Sequence, residues 1–279
     1  MKFRHALLAL FALLPACSPA SLLNATVPDD GYRKVADIAY GADPRQRLDL
    51  YIPARPDPER RVVVFIYGGA WNKGRRQEYL FVAQALANAG FHVVVPDYRL
   101  SPNPRFPGFV EDGAGAMRWT QDNIATHGGD ASRIFLAGHS AGAHIALMLA
   151  TDTPYLRNAG FDRTRLKGVI GIAGPYDFLP FSSNSVRDVF AGSDPASTQP
   201  INFVGRGLPP ALLLHGDADD TVYPRNTHRL TAAWRAAGNE VEEKIYPGVG
   251  HIAIVSAFSD LMRGRAPTLA DTVSFLRAH

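Results

Sequence analysis

Short apolar runs alternate with helix-like segments over most of this 279-residue chain. Residues 62–66 are apolar throughout, which is typical of a strand buried on both faces, whereas residues 48–52 alternate in the manner of a half-buried strand. The predicted strands cover residues 35–40, 48–52, 61–67, 92–96, 133–137, 166–172, 211–215 and 241–246. The predicted helices lie near residues 77–89, 109–125, 143–150, 227–237 and 268–278. This order predicts an α/β fold, in which a mostly parallel eight-stranded sheet carries helices on both faces and begins with an antiparallel edge pair.

Residues 177–207 interrupt this alternation. Apolar residues such as Phe178, Phe181 and Phe190 are scattered there among Ser, Asn, Asp and Pro, directly after a strand end. Ligand sites in open α/β sheets lie beyond the carboxyl ends of the strands. The segment is therefore predicted to be a small cap over a binding site. The alternative is a surface excursion whose apolar residues pack on the core.

The first 16 residues have the organisation of an export signal. Lys2 and Arg4 precede nine apolar residues at 6–14, a run that is too short to span a bilayer. Small residues follow at the expected cleavage point. The protein is therefore predicted to leave the cytoplasm.

Cys17 lies at the end of Leu14-Pro15-Ala16-Cys17, which resembles a bacterial lipobox except for its proline. The expectation is a cell-envelope lipoprotein of the periplasm or outer membrane, anchored through a lipid on Cys17. Ordinary cleavage nearby and secretion is the alternative. Residues 17–34 would then form a linker to a folded domain at residues 35–279.

Composition and charge exclude several classes of function. The chain is 46% hydrophobic and 20% charged, as expected of a globular protein. The net charge of +3 falls to +1 once residues 1–16, with two basic residues and no acidic one, are removed. This balance gives no case for nucleic-acid binding. Cys17 is the single cysteine, so no disulfide can form within the chain.

Ser140 lies in the motif Gly138-His139-Ser140-Ala141-Gly142, between a predicted strand and a predicted helix. A serine between two glycines at such a turn is a nucleophile elbow, where glycine removes collisions around a strained serine backbone. The hydroxyl then stands at the sheet edge in front of a helix N-terminus, which favours developing negative charge. The motif predicts Ser140 as the nucleophile, Ala141 as a backbone oxyanion donor and His139 as a residue that shapes the pocket.

A serine nucleophile needs a base within hydrogen-bond reach and an acid that orients the base. Three aspartates, Asp217, Asp219 and Asp220, follow the strand at 211–215. The glycine and glutamate that a calcium loop requires are absent there, so no metal site is predicted. His251 follows the last strand in a glycine-rich loop that can bend back toward the serine, and chain order identifies it as the base.

The second half of an oxyanion hole is expected after the third strand. The chain reads Tyr67-Gly68-Gly69-Ala70-Trp71 there, and glycine lets a backbone approach a substrate closely. The alternative is a tight turn that only ends the strand.

Five motifs stand in the order found in one known superfamily. They are Tyr67-Gly68-Gly69-Ala70-Trp71, Asp97-Tyr98-Arg99-Leu100, Gly138 to Gly142, the aspartate loop and Gly250-His251. Over residues 35–279 they resemble the α/β-hydrolase superfamily, and within it the carboxylesterases and arylformamidases related to hormone-sensitive lipase.

This resemblance implies the α/β-hydrolase fold and a reaction without a cofactor. The family's spacing of the acid from a preceding glycine and a following valine implies Asp219 as the orienting acid. It also implies Gly69 and Ala70, with Ala141, as the oxyanion donors.

One departure from the family concerns the pocket. Those enzymes usually carry a structural histidine at the position of Tyr67, and Ala70 replaces a third glycine. Tyr67 and Trp71 are therefore predicted to shape the substrate pocket together with His139.

The primary hypothesis is a serine hydrolase that cleaves short-chain carboxylic esters of small molecules through an acyl-enzyme. One alternative keeps the triad but cleaves an amide, as an arylformamidase does, although an export signal argues against it. The other is a non-catalytic envelope lipoprotein on a hydrolase scaffold, which a complete set of Ser140, Asp219 and His251 disfavours.

Overall fold

The computed structural model of the protein describes residues 19–151 and 153–279. The predicted signal at residues 1–16 and the predicted lipidation site Cys17 lie outside the described residues. No helix within the described part of the chain is long and apolar enough to cross a membrane.

One eight-stranded sheet forms the centre of the structure, and the strand order is β1-β2-β4-β3-β5-β6-β7-β8. The strands β1 to β8 are, in order, Tyr32–Ala39, Arg47–Pro53, Val62–Ile66, His92–Pro96, Ile134–His139, Leu166–Ile172, Ala211–Gly216 and Val241–Tyr246. β2 pairs antiparallel with both β1 and β4, and every pair from β4 to β8 is parallel. The α/β prediction, with an antiparallel edge, is confirmed.

Helices cover both faces of this sheet. The helices α1 to α9 are, in order, Pro19–Ala25, Leu80–Asn88, Gly108–Asn123, Ala141–Thr151, Thr153–Asn158, Asn184–Val189, Arg225–Ala236, His251–Ser256 and Thr268–Ala278. Neighbouring residues of β3 point to opposite faces, as strand geometry requires. The Phe65 ring lies 5.7 Å from the Tyr79 ring on the side of α2, whereas the Ile66 side chain approaches Gly113 of α3.

The central strands are apolar because they are buried on both faces. Every residue of β3, β4, β5 and β7 is buried, and so is every residue of α4 behind the serine. Burying an aliphatic side chain contributes about 1.5–3 kcal/mol. This core rigidly fixes the carboxyl ends of β3, β5 and β7, from which the candidate site residues project.

The helix α1, which falls within the linker expected at residues 17–34, packs on the folded domain. Leu23 on α1 is buried, and the Asn24 side chain donates to the Gln77 carbonyl at 2.7 Å and accepts the Phe81 N–H at 3.2 Å. These contacts hold α1 against a 3₁₀ turn at Arg76–Tyr79 that precedes α2. A seven-residue helix has too few periods to stand out in the sequence.

Residues 177–207 contain α6 and two 3₁₀ turns, Pro195–Thr198 and Pro200–Phe203. Phe190 is buried and lies with Phe178 and Phe181 in one aromatic cluster, with ring centroids 5.3–5.7 Å apart. The segment therefore packs on the domain and also forms a wall beside Ser140.

Candidate active site

Ser140 sits at the sharp turn between β5 and α4 with a φ of +55°. A Cβ atom on Gly138 would lie 2.3 Å from the Gly142 carbonyl oxygen. A Cβ atom on Gly142 would lie 2.0 Å from the Ile66 carbonyl oxygen. Only glycine fits at both positions, and this close packing keeps the strained serine backbone in place.

The structure brings the three predicted triad residues together. His251 Nε2 lies 2.9 Å from Ser140 Oγ, and His251 Nδ1 lies 2.8 Å from Asp219 Oδ2. His251 is the first residue of α8 rather than part of the predicted loop. Its imidazole can accept the serine proton on one side while the carboxylate holds the other side.

Asp219 is buried and fully hydrogen-bonded. Its Oδ1 accepts the N–H groups of Thr221 and Val222, and its Oδ2 also lies 3.2 Å from His215 Nε2. Burial alone would raise the pKa of Asp219, but hydrogen bonds from His215 and His251 outweigh it and hold that pKa far below its usual range. The carboxylate therefore stays ionised and stabilises an imidazolium.

Asp217 and Asp220, the other two aspartates of the loop after β7, do not contact His251 in the bonds that the structure describes. Asp217 Oδ1 accepts the N–H of Gly248 at 2.6 Å, which ties the acid loop to the loop before His251. Asp220 is exposed.

The oxyanion loop, residues 67–74, has an unusual backbone. Gly69, Ala70 and Trp71 all have positive φ angles, of +142°, +48° and +59°. The Asn72 and Lys73 N–H groups both donate to the Gly69 carbonyl. Two consecutive non-glycine residues in this region store strain of the kind that marks functional loops.

Ala70 and Ser140 face the same space, where two cavities meet. The N–H of Ala141 opens α4 and so has no partner within the helix. Ala70 and Ala141 therefore line the smaller cavity with Ser140, and Gly69 lines the larger one with it.

Tyr67 does not line either cavity, contrary to the prediction. Its side chain is fully buried beneath the oxyanion loop, where its ring stacks on Tyr98 at 4.7 Å. Arg45 donates to the Tyr67 hydroxyl at 2.9 Å, to the Gly74 carbonyl at 3.0 Å and to the Tyr98 carbonyl at 2.9 Å. Tyr67 and Arg45 thus fix both ends of the loop.

The motif at residues 97–100 supports the oxyanion loop through hydrogen bonds and an ion pair. The Asp97 carboxylate accepts hydrogen bonds from the buried Arg76, and the Tyr98 hydroxyl donates to the Tyr67 carbonyl at 3.2 Å. Arg99 pairs with Asp112 of α3 at 2.8 Å.

Trp71 forms a wall of the smaller cavity and is held from behind. Its indole N–H donates to His144 Nδ1 at 3.2 Å, and His144 Nε2 donates to the Thr198 carbonyl at 2.8 Å. Phe178 and Phe190 pack against the indole at 6.0 and 4.9 Å. His144 therefore links the oxyanion loop to the cap segment.

We expect the unfolding free energy to fall as the pH is lowered from about 6.5 toward 4. Burial lowers the pKa of His139 to about 3 and of His144 to about 4 from an ordinary 6.5, so both rings are neutral when folded and take up protons on unfolding. Each contributes a slope of up to about 1.4 kcal/mol per pH unit between its two pKa values.

Urea denaturation at pH 7, 6 and 5 measures this slope. His144→Gln keeps a donor for the Thr198 carbonyl but cannot be protonated, so its slope should be shallower than that of the wild type. A flat wild-type profile between pH 7 and 5 would contradict the assignment.

The cavities on the two sides of Ser140 differ in size. The smaller, of about 170 Å³, is bounded by Trp71, Phe178, Val186 and Val222, together with polar side chains such as Arg225 and Asn226. The larger, of about 440 Å³, is more open and is lined by the oxyanion loop, Lys73, Glu78, Tyr79, His139 and His251. Trp71 and His139, two of the predicted pocket residues, therefore lie on opposite sides.

Tyr79 and Asn226 line the cavities but were not predicted from the sequence as site residues. Tyr79 lies in a segment that reads as an ordinary helix start. Asn226 Oδ1 accepts the N–H groups of Tyr176 and Asp177 and so holds the start of the cap segment. A contact of this kind between distant residues leaves no local sequence signal.

Within residues 19–151 and 153–279, no group of three or more His, Cys, Asp or Glu side chains is arranged to hold a metal ion.

Comparison with known proteins identifies relatives. The BD-FAE family model matches residues 48–234. Isoprenylcysteine alpha-carbonyl methylesterase ICME of Arabidopsis thaliana is 31% identical over 85% of this chain and 60% of that protein. Esterase LipC of Mycobacterium tuberculosis is 32% identical over 77% of this chain and 58% of that protein. The chain thus spans less than two thirds of the length of these relatives.

The fold has a solved counterpart. The crystal structure of esterase B from Lactobacillus rhamnosis superposes with a TM-score of 0.78, covers 92% of this chain and 90% of that one, and is 23% identical. This likeness and the observed sheet confirm the predicted α/β-hydrolase fold. With two thirds of its length matched by the family model, the chain belongs to the BD-FAE family within the α/β-hydrolase superfamily.

Proposed function

We propose that this protein is a serine carboxylesterase that cleaves short-chain carboxylic esters through an acyl-enzyme. The observation that carries the proposal is the hydrogen-bonded series Asp219, His251 and Ser140 at the junction of two cavities. The esterases among its relatives support the same class of reaction.

Each step of the proposed reaction is assigned to a residue of the site. His251 Nε2 takes the proton as Ser140 Oγ attacks the ester carbonyl, and Asp219 stabilises the imidazolium. The N–H groups of Gly69, Ala70 and Ala141 are the proposed donors to the developing oxyanion. His251 then donates its proton to the leaving alcohol, and a water activated by the same imidazole hydrolyses the acyl-enzyme.

The position of His251 assigns the two sides of the ester. The leaving oxygen must come within hydrogen-bond reach of His251 Nε2, and His251 lines the larger cavity only. The alcohol is therefore assigned to the larger cavity, and the acyl group to the smaller one beside Trp71. A dry cavity of about 150 Å³ accommodates benzene, so about 170 Å³ accepts an acyl group of roughly six carbons.

A series of p-nitrophenyl esters tests this assignment. We expect kcat/KM to be highest for acyl chains of about two to six carbons and to fall about tenfold or more by ten carbons, because a longer chain exceeds the volume of the smaller cavity, of which Phe178 is one wall. Phe178→Ala should move the optimum to longer chains.

Ile252→Ala is the matched control, since Ile252 is an apolar side chain that lines the larger cavity. Its acyl optimum should match that of the wild type. An unchanged optimum in Phe178→Ala, or a preference of the wild type for ten-carbon chains, would contradict the assignment. An aryl formamide in the same series separates an esterase from an arylformamidase.

We also propose that the protein acts outside the cytoplasm, on the strength of the signal-like residues 1–16. Fractionation of cells that express the full chain tests this, because an envelope lipoprotein stays with the membranes and a secreted protein does not.

A further inference from the structure

Three hydrogen bonds join the oxyanion loop to the helix that carries the base. The Gly68 N–H donates to the Tyr79 hydroxyl at 3.2 Å. That hydroxyl lies 3.2 Å from His139 Nδ1, and His139 Nε2 lies 3.1 Å from the His251 carbonyl oxygen. His139 directly precedes Ser140, so this hydrogen-bond chain runs from one side of the nucleophile to the other.

The His251 carbonyl oxygen, the last acceptor, fixes the direction of each bond in this hydrogen-bond chain. A carbonyl oxygen can only accept, so His139 Nε2 carries the hydrogen. Burial, reinforced by His251, lowers the pKa of His139 to about 3, so its ring is neutral and Nδ1 is an acceptor. The Tyr79 hydroxyl therefore donates to Nδ1. Burial raises the pKa of Tyr79, which keeps that hydroxyl protonated.

The groups that this chain connects are also in close contact. A Cβ atom on Gly68 would lie 3.0 Å from both His139 Nδ1 and Ser140 Cβ. The His139 and His251 rings lie 4.9 Å apart. A shift of any member therefore moves the oxyanion loop relative to the base.

We infer that Tyr79 and His139 are positioning residues that hold the oxyanion loop and the His251 imidazole in register about Ser140. This inference rests on the proposed esterase function. Neither side chain bonds to the serine hydroxyl, and each acts through a backbone group, the N–H of Gly68 or the carbonyl of His251. Catalytic geometry tolerates displacements of only about 0.5 Å, and small misplacements lower kcat strongly.

Tyr79→Phe tests the inference because it removes the hydroxyl and keeps the ring, which packs between Tyr67 and Phe81. We expect kcat to fall about tenfold or more while KM changes by less than about threefold. Fluorophosphonate labelling of Ser140 should slow by a similar factor. The loss should be equal for ethyl acetate and p-nitrophenyl acetate, because a positioning defect does not depend on the alcohol. A direct contact between Tyr79 and the alcohol would give unequal losses.

His139→Leu removes both ring nitrogens. Together with the variant that combines it with Tyr79→Phe, it completes a double-mutant cycle. If Tyr79 and His139 act through one chain, the double variant should lose little more than the more affected single variant. Losses that multiply would show two independent packing effects and overturn the inference.

Tyr246→Phe is the matched control. It removes another tyrosine hydroxyl from a buried residue, one that bonds to Asp271 of α9 at 2.7 Å and not to the oxyanion loop. Its melting temperature should fall about as far as that of Tyr79→Phe, with kcat reduced by less than about threefold. Wild-type kcat in Tyr79→Phe overturns the inference alone, whereas turnover by Ser140→Ala would overturn the proposed function itself.

Discussion

Ser140→Ala is expected to lower kcat for short acyl esters by about 10⁴- to 10⁶-fold while KM and the melting temperature change little. In the proposed mechanism the hydroxyl forms the acyl-enzyme, and its removal leaves only binding and oxyanion stabilisation. Because Ser140 Oγ bonds to His251 alone among the side-chain contacts that the structure describes, little packing is lost. Steady-state kinetics with p-nitrophenyl acetate measure the change.

Ser132→Ala is the matched control for this variant. Ser132 precedes the opposite end of β5, where its hydroxyl bonds to Asp130 at 2.7 Å. A fluorophosphonate probe should label the wild type and Ser132→Ala but not Ser140→Ala. Turnover by Ser140→Ala near the wild-type rate would rule out Ser140 as the nucleophile, and a wild type that resists the probe would favour a non-catalytic protein.

Gly142→Ala is expected to lower the free energy of unfolding by about 3 kcal/mol or more. The added Cβ would lie 2.0 Å from the Ile66 carbonyl oxygen and 2.5 Å from that of Tyr67. Both oxygens belong to the backbone at the end of β3, a central strand paired on both sides, so neither can move aside cheaply. Activity should fall as well, because the oxyanion loop starts at Tyr67.

Gly115→Ala offers a direct comparison. Gly115 lies within α3, and its added Cβ would meet only the Tyr40 ring at an ordinary 3.6 Å. Alanine should stabilise the protein there by about 0.5–1 kcal/mol through its higher helix propensity. Urea denaturation measures both variants, and a Gly142→Ala protein within about 1 kcal/mol of the wild type would contradict the elbow packing.

Strands were the most predictable part of the fold, because burial on two faces leaves an unbroken apolar run. The predicted bounds of β4 and β6, both almost fully buried, agree with the structure. Those of the partly exposed edge strand β8 and of α9 agree as well. The short elements α1, α6 and α8 escaped prediction, since each is shorter than two full helical turns and its pattern carries no period.

The chemistry of the site was easier to predict than its supporting contacts. Ser140, Asp219 and His251 stand in motifs whose chain order is itself informative. The buried position of Tyr67 and the link from Tyr79 to His139 depend on contacts between residues far apart in sequence. Such contacts follow from the packed fold, and a single sequence contains no local signal for them.

The double attachment of Trp71 limits how the specificity of this protein can change. Its indole borders the smaller cavity and donates its N–H to His144, while its backbone follows Ala70 in the strained loop. A substitution there that reshapes the cavity also disturbs the donor beside it, so specificity and rate cannot be selected separately at this position. Phe178 and Val186 touch the same cavity without belonging to that loop. Adaptation to new acyl groups is therefore expected to proceed through the cap, with the tryptophan retained.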